Sequence, residues 1–396
     1  MGSASVRPPP LRLTRLTLFD FRNFAHVAWH VPGRLTVIYG PNGSGKTNLL
    51  EAISLLTPGR GLRGARFADL ARVGPGASGR WAVAGRFLTP AGEIEIGTGS
   101  APEGAAEKRV FRLNGASVRS QLQIAEHVSA AWLTPQMDRL FQEGAASRRR
   151  FLDRLVLAFD PAHAREIAAH ETAATERLRL LAQGDAHPSW LAGIEEAMAR
   201  HAVAVTHARL SLIARLNAVL AAGLAGFPTA RLSLRCAIAE HLCAEPALAT
   251  ENWLRAELAA LRARDAAHGT TALGAHRADL LMTDADTGLL ASLLSTGQQK
   301  ALLVAVVLAH ALALTEIRGH APILLLDEAL THLDAARRSA LFTALMNLPT
   351  QVLLTGVDRE TFLPLRAVAQ GLRITAGSIE EDADFACLYH GSERAT

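Results

Sequence analysis

The sequence predicts an α/β fold interrupted by an inserted, mainly α-helical arm. Three observations predict it. Gly40-Pro41-Asn42-Gly43-Ser44-Gly45-Lys46-Thr47 fits the phosphate-cradling pattern G-x-x-x-x-G-K-[ST], with an apolar strand at 35–39 leading in and a helical stretch at 48–53 leading out. Residues 147–268 turn rich in Ala, Leu, Arg and Glu and poor in strand formers. From residue 269 strand and helix alternate again, through the unbroken apolar run Ile323-Leu324-Leu325-Leu326 that closes on Asp327 and Glu328. The expected organisation is a head at 1–146, a helical arm at 147–268 and the rest of the head at 269–396.

Within the first head portion, residues 11–19 alternate apolar and polar, as do 81–87 and 93–96 on either side of the turn Pro90-Ala91-Gly92. A short strand at 110–113 precedes the turn signal Asn114-Gly115, and the Gly/Ala/Ser-rich 97–107 reads as a loop. In the arm, 165–182, 188–222 and 250–264 have helical amphipathic periodicity, and Leu232-Ser233-Leu234 reads as a short strand. Beyond it, 280–282 and 289–292 flank Asp284-Ala285-Asp286-Thr287-Gly288, a hairpin signal in which the acids serve the turn rather than a metal. The apolar stretch 301–314, interrupted by His310, is short for a membrane span and reads as a buried core helix.

Bulk properties narrow the class. At 396 residues, 49% hydrophobic and 20% charged, the chain has the balance of a soluble globular protein of two or three domains. A formal charge of +4 is compatible with nucleic acid without requiring it. The three cysteines, Cys236, Cys243 and Cys387, form no C-x-x-C pair, so neither a zinc site nor a disulfide framework is expected. Residues 1–10 are proline-rich without an apolar core, which is not the pattern of a signal peptide, and the expected compartment is the cytoplasm.

The glycines of 40–47 let backbone N–H groups turn in around phosphate oxygens, and the helix that follows adds partial positive charge. Lys46 is expected on the β- and γ-phosphates of ATP and Thr47 on Mg²⁺. Lys46 is one of only three lysines in a chain that otherwise carries its positive charge on arginine, so this position calls for a compact ammonium. The acids ending the apolar strand match a Walker B pair: Asp327 for Mg²⁺ and Glu328 to polarise the attacking water.

Upstream of that strand, Leu294-Ser295-Thr296-Gly297-Gln298-Gln299-Lys300 runs into an apolar helix, with Ser295 as its cap and Gly297 permitting close approach of a phosphate. It resembles the Leu-Ser-Gly-Gly-Gln signature of ABC-type ATPases, and Thr331-His332-Leu333-Asp334 resembles their D-loop; alone, each also reads as a capped helix start. The ATP-binding set is thus Gly40, Pro41, Asn42, Gly43, Ser44, Gly45, Lys46 and Thr47, with Ser295, Gly297 and Gln298, and with Gln136 as a Q-loop candidate. No histidine follows the strand at 351–354, and Thr355 is the candidate replacement for the usual switch residue.

Across nearly its whole length the chain resembles the RecF family. The matching segments are Leu18-Phe19-Asp20-Phe21-Arg22-Asn23-Phe24, the P-loop with Asn48-Leu49-Leu50-Glu51-Ala52-Ile53, Arg148-Arg149-Arg150-Phe151-Leu152-Asp153, Gly274-Ala275-His276-Arg277-Ala278-Asp279-Leu280 and Ser295-Thr296-Gly297-Gln298-Gln299-Lys300. The resemblance implies an ABC-type ATPase head related to SMC and Rad50 heads. It further implies ATP-dependent dimerisation on DNA, weak DNA-stimulated hydrolysis, and work with RecO and RecR in loading RecA at single-strand gaps. A signature turn cannot reach the P-loop of its own subunit, so ATP would be shared between two copies. DNA would be held through phosphates, with Arg60, Arg63, Arg66, Arg148, Arg149 and Arg150 as candidates against a plain solvated face. The competing classes are an ATPase subunit of a membrane transporter, which would carry a shorter insert and a switch histidine, and a long-armed SMC or Rad50 relative, which would carry sustained heptads. An ATPase fused to a nuclease would need more chain after Thr355 than is present.

Overall fold

The computed structural model describes residues 11–31, 33–101, 109–184 and 187–385. The chain forms two compact units: residues 1–138, 224–227 and 303–396 make one, and 139–223 and 228–302 the other. The second unit contains the expected arm apart from residues 224–227, and extends beyond it at both ends. The strand Ala230–Arg235 pairs antiparallel with Asp279–Asp284, with Arg235 opposite Asp279, and this pairing sews the downstream segment to the insertion. The compact unit thus begins at 139 and ends at 302, outside the compositional limits 147 and 268.

The first unit holds two six-stranded sheets. One is an antiparallel meander in the order Phe24–His30, Arg12–Phe21, Ala82–Thr89, Gly92–Ser100, Arg109–Leu113, Ala116–Val118. Its period-2 patterning is visible in Arg12–Phe21, where Leu16, Leu18 and Asp20 are buried, after a register shift between Leu13 and Arg15. Asn114 (φ 49°) and Gly115 (φ 81°) make the tight turn their sequence signals. The loop expected at 97–107 is corrected at its start: 97–100 continue the strand Gly92–Ser100, paired with Arg109–Leu113. Its remainder past residue 101, like residues 1–10, lies outside the described residues.

The other sheet runs Ser378–Asp382, Gln370–Thr375, Leu35–Tyr39, Val352–Gly356, Ile323–Leu326, Ala130–Leu133, parallel throughout except for Ser378–Asp382. Covered on both faces, its central strands read as unbroken apolar runs instead of alternating. The helix Lys46–Leu55 packs against Val352–Gly356 of this sheet and against the meander, which is why nearly all its residues are buried.

The second unit is helical: Ala145–Phe159, His163–Gln183, Pro188–Ala221, Ala237–Ala244, Ala247–Ala260 and Arg262–His268. His163–Gln183 ends on Gly184 in the left-handed region (φ 77°), and Pro188 opens the next helix with its fixed φ. The helix expected at 250–264 is two, because Leu261 (φ −86°, ψ 1°) leaves helical geometry. The expected hairpin around 284–288 is also corrected. Asp284 accepts its turn bonds, but beyond it only the isolated bridge Thr283–Leu290 forms, before the single turn Ala291–Leu293. Inside the unit Arg177, with no exposure, bonds Glu195 at 3.0 Å, Asp265 at 2.7 Å and the Leu258 carbonyl at 2.6 Å.

The helices Pro188–Ala221 and Thr296–Arg318 are long and apolar enough to cross a membrane by length and composition. In the second, Leu302 to Ala309 are packed in protein, each 1% exposed or less.

Candidate nucleotide site and signature turn

The parallel order brings four strand ends to one edge. The P-loop follows Tyr39, Thr355 and Gly356 end the neighbouring strand, Asp327 follows Leu326, and Thr134 follows Leu133. Ligands of open parallel sheets bind at this carboxyl edge. The Walker B strand is not the direct neighbour of the P-loop strand; Val352–Gly356 lies between them.

Two glycines of the loop are required by space. Gly40 has φ 150°, and a Cβ there would meet the Ile374 carbonyl at 2.2 Å. Gly45 has φ 115°, and a Cβ would strike the Asn23 amide at 2.4 Å. Asn23 donates to the Ser44 carbonyl at 2.8 Å and accepts from Asn48 Nδ2 at 2.8 Å, so it ties the loop to its own helix. Reasoning from motifs missed this role, although Asn23 stands in the Phe21-Arg22-Asn23-Phe24 segment. Beside it Arg22 forms a bidentate pair with the buried Glu51. Lys46 Nζ donates to the carbonyls of Gly40 (2.8 Å) and Pro41 (3.0 Å). Burial lowers the Lys46 pKa, against the opposing pull of Glu328 and Asp327.

The Thr47 hydroxyl donates to Asp327 Oδ1 at 2.9 Å. Thr355 donates to the same oxygen at 2.8 Å and accepts the backbone N–H of Glu328 at 2.9 Å. Four residues from three elements thereby form one hydrogen-bonded chain. Burial raises the Asp327 pKa, while the bonds from Thr355 and Thr47 oppose the shift. Glu328 sits at φ 48°, a conformation that costs a non-glycine residue energy and persists only when its surroundings hold it. The fully buried Thr355 hydroxyl is bonded on both sides to Walker B.

Thr47 and Asp327 fit a magnesium ion. Octahedral Mg²⁺ takes oxygens at about 2.1 Å, which places adjacent ligands about 2.9 Å apart, the separation found between Thr47 Oγ1 and Asp327 Oδ1. A cation would also offset the burial that raises the Asp327 pKa.

Gln136 is exposed in the single turn Pro135–Arg139, directly after the strand that pairs with Walker B. Thr331–Asp334 form a turn whose Asp334 accepts the Arg337 N–H at 2.8 Å and caps Ala335–Asn347. In the second unit Ser295 and Gln298 make a reciprocal capping box. The Gln298 N–H donates to Ser295 Oγ (3.4 Å), while Gln298 Oε1 accepts from the Ser295 N–H (3.0 Å) and hydroxyl (2.9 Å). Gly297 lies in the first turn of the helix so capped.

The arginine candidates divide. Arg60, Arg63 and Arg66 are exposed, with Arg63 also bonded to Asn48 (2.9 Å) and paired with Glu51 (3.6 Å). Arg148–Arg150 do not form one face. Helical geometry turns Arg148 onto Asp279 (2.7 and 3.1 Å) and the Glu143 carbonyl, and Arg149 onto the Ala278 carbonyl at 2.8 Å. Only Arg150 is exposed. Of the three candidates in this cluster, Arg150 therefore presents its side chain to solvent, while Arg148 and Arg149 are partly buried and bonded within the unit.

Residues 12–375 match the family model described as RecF/RecN/SMC N terminal domain. The chain is 45% identical over 380 residues to the DNA replication and repair protein RecF of Mesorhizobium japonicum, covering 95% of this chain and 100% of that one. It is 43% identical over 376 residues to the protein of the same name from Rhizobium johnstonii, covering 94% and 100%. In fold it is similar to the solved structure of the recombination mediator protein RecF-ATPrS in the RecFOR pathway, with TM-score 0.82, 22% identity, and 95% and 100% of the two chains covered.

Proposed function

The chain belongs to the RecF family, and on that footing we propose that it is an ATP-hydrolysing, DNA-binding recombination mediator whose nucleotide site is completed by a second copy. One observation carries the mechanism: the hydrogen-bonded chain Thr47–Asp327–Thr355–Glu328, which joins the phosphate loop to the acids of Walker B.

Residues 40–47 cradle the phosphates of ATP through their backbone N–H groups, and Lys46 neutralises the β- and γ-phosphates. Thr47 and Asp327 hold Mg²⁺, which when bound screens the phosphate charge. Glu328, fixed by the Thr355 tether, orients and polarises the attacking water; the products are ADP and phosphate. Ser295, Gly297 and Gln298 of one copy close over the ATP of the other, the capping box keeping the helix N-terminus directed at phosphate. Gln136, at the edge shared with Walker B, couples the γ-phosphate to the adjoining segment. Loss of the γ-phosphate contact on hydrolysis releases the dimer.

DNA is gripped through its phosphates, without sequence readout, beside single-strand gaps in the cytoplasm. The exposed Arg60, Arg63, Arg66 and Arg150 are the nearest candidates. The pathway named for the solved relative supports RecO and RecR as partners in loading RecA. The test is Glu328→Gln studied by sedimentation with ATP and gapped duplex. It binds ATP, accumulates as a dimer on DNA, and loses about 10² to 10⁴ in rate. Wild-type turnover would remove Glu328 from the reaction.

A further inference from the structure

The helical unit contains a cavity of about 220 Å³ that the nucleotide chemistry does not use. It is bounded by the helices Ala145–Phe159, His163–Gln183 and Pro188–Ala221 and by the turn Ala275–Arg277. Two sequence motifs otherwise without a role meet there: Arg149, Arg150 and Asp153 come from one, and Ala275 and His276 from the other. Two imidazoles line it, His170 and His276. His170 is 3% exposed, and neither its buried Nε2 nor the buried Nδ1 of His276 finds a hydrogen-bond partner among the described residues. Both rings line the cavity and pack against Gly274, where a Cβ would lie too close to fit, 2.7 Å from His276 Nδ1 and 3.1 Å from His170 Nε2. A buried polar atom without a partner is costly, and two on residues that line one cavity mark it as a place for a ligand.

Charge decides which ligand. Among the described residues no group of three or more His, Cys, Asp or Glu side chains could hold a metal ion. Three guanidiniums, Arg149, Arg150 and Arg209, face two carboxylates. One of these, Asp153, is already bidentate to Arg209 at 2.7 and 2.8 Å and bonded to His163 at 2.9 Å. The other, Glu171, is exposed on the helix that carries His170. Arg149 uses one N–H on the Ala278 carbonyl, leaving the rest of its fork for another acceptor.

We propose that this cavity is an oxyanion site that seats one phosphate group, held between the Arg149 guanidinium and the His170 and His276 imidazoles. The phosphate is a backbone diester of DNA or a free phosphate; only the first source rests on the DNA-binding reading above.

A proton linkage follows. Burial, with the positive neighbours His276, Arg209 and His201, holds His170 down to about 4. His276 is also lowered, by burial first, with Arg277 and Arg149 adding to it and the Thr271 carbonyl and Asp265 opposing. His201 is itself bonded to Glu166 at 2.7 Å. The His276 Nε2 lies 3.1 Å from the Thr271 carbonyl and donates to it, so in the neutral ring Nδ1 presents a lone pair to the cavity. An arriving anion reverses the field, and the imidazoles take up protons and become donors. Affinity therefore rises as pH falls, by up to about tenfold per pH unit for each proton taken up.

The experiment uses the full chain with its nucleotide site saturated by Mg-ADP. Inorganic phosphate is titrated at pH 6 and pH 8 while imidazole nitrogen resonances are followed, with His170→Gln and His276→Gln giving the assignments. Both residues shift saturably, with at least about tenfold tighter binding at the lower pH, and chloride at equal ionic strength leaves them in place. Arg149→Gln weakens the binding; the unmodified protein carries the test by itself should that variant not fold. Absence of a saturable shift, equal affinity at both pH values, or an equal response to chloride overturns the proposal. A gapped duplex that shifts the same signals, in competition with phosphate, identifies DNA as the source. Response to phosphate alone identifies the free anion. Salt-dependent DNA binding with silent imidazoles refutes the pocket and leaves the DNA reading intact.

Discussion

Replacing Thr355 by Val tests whether the hydroxyl between the two Walker B acids is a structural tether of the reaction centre. Valine keeps the β-branched shape suited to the strand Val352–Gly356 and removes only the oxygen. Two bonds go: the 2.8 Å donation to Asp327 Oδ1 and the 2.9 Å acceptance from the Glu328 N–H. A lost bond to a charged group costs about 1.5–3 kcal/mol and an orphaned buried N–H about 1–3, so the fold should lose about 2–4 kcal/mol, allowing for relaxation. The functional loss has a separate origin. Glu328 is held at φ 48°, and releasing a conformation that costs about 1–3 kcal/mol lets its carboxylate leave the water-orienting position. Single-turnover hydrolysis should fall by about 10- to 100-fold, as about 1.4–2.7 kcal/mol implies. ATP affinity should change by less than about threefold, because Lys46 and the loop amides are untouched. Magnesium dependence should shift to higher concentration. The Asp327 pKa is already raised by burial and would lose an opposing bond, so proton would compete better with metal as pH falls. Thr355→Ser should restore all of these. A Val variant with wild-type denaturant midpoint and wild-type single-turnover rate would refute the tether.

Three further outcomes are expected. Asn23→Ala removes the bonds to Ser44 and Asn48 that hold the loop and should weaken ATP binding about tenfold at about 1–1.5 kcal/mol; nucleotide titration with unchanged affinity would reject that role. Arg177→Leu leaves Asp265 without its guanidinium in the helical core, while Glu195 keeps Arg262, and should cost about 3–5 kcal/mol in denaturant unfolding, whereas changing Arg177 and Asp265 together to Leu should recover most of the loss. Ser295→Arg should bind ATP yet fail to dimerise. Mixed with Lys46→Ala it should regain partial hydrolysis through one composite site, and no recovery at any ratio of two folded proteins would count against sharing in trans.

What the sequence by itself determined is what neighbouring residues decide among themselves. The P-loop needs glycines, a lysine and a helix start within eight positions, and Gly40 to Thr47 carry all of them contiguously. Ser295 and Gln298 are three apart, so their capping box closes inside a single helical turn. The buried parallel strands announced themselves as unbroken apolar runs, and the split head as a change of composition.

Tertiary structure alone decided the long-range partners. Thr47 reaches Asp327 across 280 positions because one strand stands between theirs, and that intervening strand supplies Thr355. A threonine in the place of a histidine is uninformative in sequence, since nothing local says which acids its hydroxyl will meet. Arg148-Arg149-Arg150 read as one basic cluster, yet successive helical residues point about 100° apart, and pairing with Asp279 and Ala278 took two of the three away from solvent. The same rotation set Arg149 on the cavity that His170 and His276 line from separate elements. Burial and charge at that place depend on which helices pack there, and no spacing along the chain encodes it.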